Sequence, residues 1–143
     1  MEEDRRWIQF ALRIFSSEIS SREIETIISI RGTRKHEKGE IRNPGHPGAW
    51  EESFWSLQSS LNDESTFAEH AASLLSTLEP RIEAIRLLSK KCRIDLFCGF
   101  SSGSGQGGFA LDVALLNRLC KFGVPLVLDL YPLTIENELS GRE

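Results

Sequence analysis

Three observations predict an α+β fold with a mixed, partly antiparallel sheet and helices mainly on one face. Some segments alternate apolar and polar residues with a period of two, others repeat apolar residues at helical spacing, and the two kinds interleave in the order β-α-β-β-α-β-α-β. The length of 143 residues is that of one domain, read as residues 1–143 with residues 132–143 as a peripheral C-terminal tail.

The elements follow in order. Ile8, Phe10, Leu12 and Ile14 alternate with Gln9, Ala11 and Arg13, as in a strand with one buried face. Ser20-Ser21-Arg22-Glu23 has the spacing of a capping box, and the short helix after it is expected to bury Ile24, Ile27 and Ile28. From Gly32 to Gly48 the chain is polar and broken by glycine and proline, which predicts a weak strand or hairpin around Arg34 to Ile41 and then a loop. Phe54 to Leu61 reads as a strand with Trp55, Leu57, Ser59 and Leu61 on one face, and Asn62 or Asp63 then supplies a helix cap.

Phe67, Ala71, Leu74, Leu75 and Leu78 form a helical stripe. Pro80 starts or kinks a second helical segment carrying Ile82, Ile85 and Leu88, since proline is tolerated only in a first turn. Ile94, Leu96, Cys98 and Phe100 make a further strand, the glycine- and serine-rich stretch from Ser101 to Gly108 is a loop, and Asp112 caps a helix that ends at Gly123. Val124 to Tyr131 is apolar on both faces. A central place in the sheet is therefore expected for it, with Leu126, Leu128 and Leu130 in the core beside Ile94 and Leu96.

Composition narrows the function. Apolar residues make up 40 % and charged residues 27 %, an ordinary globular balance. No apolar run approaches the roughly 20 residues of a membrane span, and the acidic start Met1-Glu2-Glu3-Asp4 is unlike a signal peptide. Three cysteines without C-x-x-C spacing suit reduced thiols in a cytoplasm. With a net charge of −4, nucleic acid is not the expected partner. Arg31, Arg34, Lys35, Lys38 and Arg42 nevertheless cluster in one stretch, whose plainest reading is a solvated hairpin rim.

Several patterns imitate chemistry. Gly99-Phe100-Ser101-Ser102-Gly103 is a G-x-S-x-G, but glycines follow the serine where a nucleophile elbow needs a helix, and no histidine comes later. Gly103 to Gly108 is a G-x-G-x-x-G with Asp129 downstream as a ribose acid, yet the helix starts late and the chain ends before a dinucleotide fold is complete. His36, His46 and His70 lack metal-ligand spacing. Asp95 and Asp129 would form paired carboxylates only if their strands were adjacent and in register.

Thr33-Arg34 with Lys38-Gly39, Trp55-Ser56-Leu57-Gln58-Ser59, His70 with Leu78-Glu79-Pro80, Gly108-Phe109-Ala110-Leu111, and Leu116 to Tyr131 ending Asp129-Leu130-Tyr131 together resemble a mainly bacterial family, domain of unknown function 4279. The loop from Ile41 to Trp50 and the segment from Ser101 to Gly108 look longer than that family's usual connections. The resemblance implies an α+β fold of this size and no established reaction, with immunity proteins that neutralise a toxin among the suspected roles.

The expected function is thus a non-enzymatic cytoplasmic module that binds another protein. The alternative is a small-molecule or phosphate-binding domain. Candidate binding residues are Arg34, Lys38, Trp50 and Trp55, with Asp129 and Tyr131 from the last motif. Strand periodicity also allows Trp55 to face the core. No catalytic residue, metal ligand or cofactor is assigned.

Overall fold

The computed structural model describes residues 6–42, 45–102 and 109–132. The elements are β1 (Arg6–Ser16), α1 (Ser21–Ile28), β2 (Arg34–His36), β3 (Ser53–Gln58), α2 (Phe67–Leu78), a 3₁₀ turn (Glu79–Arg81), α3 (Ile82–Leu88), β4 (Arg93–Ser102), α4 (Val113–Cys120) and β5 (Leu126–Pro132). They build one five-stranded sheet in the order β2-β3-β1-β4-β5. The first four strands of that order pair antiparallel, and β5 joins β4 in parallel. A parallel pair needs a crossover, and α4 lies within it. This is the mixed α+β architecture that the interleaved patterns predict.

Alternation along β1 sorts the two faces of the sheet. Ile8, Phe10, Leu12 and Ile14 point to the helices, and the register brings Trp55 and Leu57 of β3 and Ile94, Leu96 and Cys98 of β4 to the same side. Against them pack Ile24 and Ile28 of α1, the stripe Phe67, Ala71, Leu74, Leu75 and Leu78 of α2, Ile85 and Leu88 of α3, and Leu115 and Leu119 of α4. Each fully buried aliphatic side chain contributes roughly 1.5–3 kcal/mol relative to exposure, so this one cluster supplies most of the favourable burial. Phe67 meets Phe10 edge-on at 5.3 Å between ring centroids, tying α2 to the central strand.

Local signals explain most boundaries. The Ser20 hydroxyl accepts from the Glu23 amide at 3.1 Å and caps α1. Ile27 is exposed, however, because the narrow stripe of this short helix is spent on Ile24 and Ile28. The cap of α2 is Thr66 and not Asn62 or Asp63: Thr66 and Glu69 form a reciprocal capping box, while Asn62 Oδ1 accepts from the Glu64 amide within the preceding turn. β3 accordingly ends at Gln58, and Leu61 lies outside it, exposed. Pro80 sits in the 3₁₀ turn between α2 and α3, where its missing N–H is harmless. Asp112 caps α4, and Gly123 closes the turn beyond it in the left-handed region at φ +67°.

The last strand departs from expectation. β5 is an edge strand, and Leu128 and Leu130 are 48 % and 61 % exposed. Their register against Cys98 and Phe100 puts them on the helix side, but no described helix reaches the outer edge of the sheet to cover them. A strand apolar on both faces is thus compatible with a peripheral position. The tail after Pro132 and the glycines at 103–108 lie outside the described residues.

Candidate functional site

The second face of the sheet carries no described helix, and its side chains fall into rows that run across the strands. In one row His36, Phe54 and Phe15 stand side by side, with Arg93 next on β4. The neighbouring row reads Arg34, Ser56, Arg13, Asp95 across four strands. A third holds Gln58, Ala11, Phe97 and Val127. A groove of about 540 Å³ lies over these rows, open along the sheet and walled by Ile41 and Trp50 of the β2–β3 connection.

Arg13 is the best-fixed charge in the groove. Its Nε and Nη2 donate to the two oxygens of Asp95, each at 2.7 Å, and its guanidinium lies 4.3 Å from the centroid of Phe97. Arg93 is held likewise, donating to Glu52 at 2.9 Å while covering Phe15 at 4.0 Å. Both acids on this face near Arg13 and Arg93 are thereby neutralised. Arg34 is exposed and makes no ion pair among the described residues. Ser56 between the two guanidinium-bearing residues is only 2 % exposed, and its hydroxyl has no hydrogen-bond partner among the described residues.

The β2–β3 connection folds its tryptophan back onto the sheet. The Gly39 and Trp50 amides donate to the Trp50 and Glu40 carbonyls at 2.8 and 2.9 Å, a short ladder that prolongs the hairpin. Trp50 stacks on His36 at 3.7 Å and 11°, His36 on Phe54 at 5.3 Å, and Arg42 lies 4.4 Å from the Trp50 ring. His36 donates from Nε2 to the Glu52 carbonyl at 3.1 Å. Burial pushes its pKa below the usual 6.5, so at neutral pH the imidazole is uncharged in the stack. Arg42 Nε is buried and without a partner among the described residues.

The predicted residues separate sharply. Arg34 and Trp50 both line the groove. Lys38 does not: its ammonium reaches the Ser17 carbonyl at 3.3 Å and its amide donates to Ser53. Lys35 points to the helix side, where it pairs with Glu25 at 2.9 Å. Trp55 is fully buried and is a core residue, not an interface anchor, with its indole N–H donating to Glu25 at 3.2 Å. Asp129 stands opposite Gly99 and Tyr131 opposite Ser101, one and two rows beyond Phe97 on the edge strand. Asp95 and Asp129 are four residues out of register and Asp95 is committed to Arg13, so they form no carboxylate pair.

Other patterns resolve as structure. Ser101 continues β4 with no helix behind it, and Gly99 is small because a Cβ there would lie 2.7 Å from the Trp7 ring. The Ser59 hydroxyl donates to His70 Nδ1 at 2.7 Å, and His70 Nε2 donates to the Asn62 carbonyl at 3.0 Å. No carboxylate orients this imidazole, and the pair pins the β3–α2 connection. The described residues hold no cluster of three metal-binding side chains and no helix long and apolar enough to cross a membrane. The groove residues that sequence reasoning passed over are Arg13, Ser56 and Phe97. Their signal was the polar phase of the strand alternations, which reads as ordinary solvent-facing surface.

Neither the curated proteins nor the solved structures hold a match to the chain. A family does match, over residues 6–133 and so nearly the whole chain: it is described as Domain of unknown function (DUF4279), and the chain belongs to it.

Proposed function

We propose that this chain is a non-enzymatic, cytoplasmic protein-binding module, of the immunity type that neutralises a toxin, and that it docks its partner on the open sheet face. The observation that carries this reading is the juxtaposition in one groove of an aromatic row, a cationic row and the stacked Trp50. Aromatic and arginine side chains supply most of the energy of protein interfaces, and preformed ones cost little to order. The glutamates with shifted pKa values, Glu25, Glu69 and Glu79, are all lowered and lie outside the groove. Perturbed general acids and bases are a usual mark of catalysis; the perturbed group in the groove, His36, is covered by Trp50 and spends its Nε2–H on the Glu52 carbonyl. The free thiols of Cys92, Cys98 and Cys120 fit a reducing compartment.

The test is calorimetry of the chain against the protein that co-purifies with it. Trp50→Ala and Arg34→Ala should each weaken docking by about tenfold or more, Lys38→Ala should leave it unchanged, and all three should melt like the wild type. Equal affinity of the wild type and the two groove variants would remove the open face from the reading.

A further inference from the structure

Resting on that reading, we infer that the Arg34–Ser56–Arg13 row is a carboxylate subsite, and that the partner segment it takes is an extended peptide with an acidic residue two positions from an aromatic one. The row places two guanidinium-bearing residues on either side of Ser56, whose hydroxyl lines the groove and bonds to none of the described residues. Asp95 occupies Nε and Nη2 of Arg13 and holds the guanidinium still, which leaves Nη1 for a ligand. Arg34, unpaired, supplies the mobile half of a clamp. With Asp95 counted, the row carries a net charge of +1 on a chain of net −4, so the preference for an anion is local to this face.

The Ser56 hydroxyl lines the open groove and is free to donate to an arriving acceptor. A carboxylate can accept from Ser56 and from both guanidinium groups, and such charge-assisted bonds are about twice as strong as neutral ones. The spacing of the rows sets the rest of the motif. Successive rows on one face are two residues apart along the strands, about 6.6 Å, which is also the distance between residues i and i+2 of an extended peptide. A peptide lying along the strands with its carboxylate on the Arg34–Ser56–Arg13 row therefore sets its next inward side chain at Phe54, between Trp50, which covers His36, and Arg93, which covers Phe15. An aromatic side chain there stacks on the Phe54 ring. Glu40, at the rim of the groove, makes no ion pair among the described residues and is the acid that opposes this ligand.

The experiment titrates the labelled full chain with the blocked peptide Gly-Glu-Gly-Phe-Gly, following the Ser56 amide and the arginine Nε–H signals by NMR and Trp50 by fluorescence. The expected result is a shift centred on Arg13, Arg34 and Ser56. The affinity should fall about tenfold when Gln replaces Glu in the peptide or in Arg34→Ala, and fall severalfold in Ser56→Ala with an unchanged melt. Glu40→Gln should bind more tightly than the wild type. Equal affinity of the Glu and Gln peptides, or shifts that avoid the row, would overturn the subsite. Inorganic phosphate moving these signals while the peptide does not would also overturn it, in favour of a free anion. If the peptide fails while Arg34→Ala and Trp50→Ala still weaken docking of the co-purified protein, this inference falls alone; if those variants dock normally, the functional reading falls with it.

Discussion

Replacing Arg13 by Ala should destabilise the protein by about 2–4 kcal/mol, because it strips a carboxylate in the middle of the sheet of both its bonds. Asp95 is 6 % exposed, and its oxygens receive Arg13 Nε and Nη2 at 2.7 Å. Breaking a buried pair from one side costs about 3–5 kcal/mol. The lower figure applies here, since the Arg13 side chain is 27 % exposed and water can reach part of the vacated site. Asp95→Ala should cost less, about 1–2 kcal/mol, because the stranded guanidinium keeps its contact with Phe97 and its access to solvent. The double variant should then recover part of the sum, with a coupling of about 1.5–3 kcal/mol. Urea unfolding of the four proteins, with a common m value, measures this directly. A coupling below about 0.5 kcal/mol would refute the claim that the pair acts as a unit.

Three further outcomes are expected. Gly32→Ala should destabilise by about 1–3 kcal/mol in the same assay, since its Cβ would lie 2.5 Å from Nε1 of Trp55, whose fully buried ring has no room to give way. Leu12→Ala should cost about 2–5 kcal/mol by leaving a cavity, and Leu128→Ala less than about 0.5 kcal/mol, so equal losses would contradict the edge position of β5. Glu25 is held below its usual pKa of 4.5, first by the Gly32 amide and then by Lys35. Its contribution is complete above that value and is lost as pH falls through the lower folded one, so acid unfolding of Glu25→Gln should begin from a lower stability and depend less on pH below 4.5.

Alternation made β1 and β4 legible, because a strand with one buried face writes its orientation into every second residue, as Ile8 to Ile14 do. The same signal fails for β5. Leu126 to Leu130 is apolar whether helices cover the strand or stop short of it, and coverage is decided by elements distant in the chain. The cap at Thr66 was missed because Asn62 and Asp63 offer the same chemistry slightly earlier. The groove was half legible. Arg34 and Trp50 stand out by type, but Arg13 and Ser56 acquire meaning only through pairing that sets them beside Arg34. Lys38 shows the limit from the other side, since a basic cluster in sequence is divided by the hairpin between two faces and a rim.

The row across β2, β3, β1 and β4 has a further consequence for folding. Its members come from residues 34, 56, 13 and 95, and the Arg13–Asp95 link spans 82 positions of chain. Such a surface cannot assemble from one hairpin. Pairing of β1 with β4 closes a long loop, which is slow and entropically costly before it is rewarded. Binding competence should therefore appear late in refolding, together with native stability and not with early helix formation. A ligand seated on the row bridges three strands directly and the fourth through the Arg13–Asp95 pair, so it should slow unfolding of the whole sheet and raise the melting temperature as a single cooperative transition.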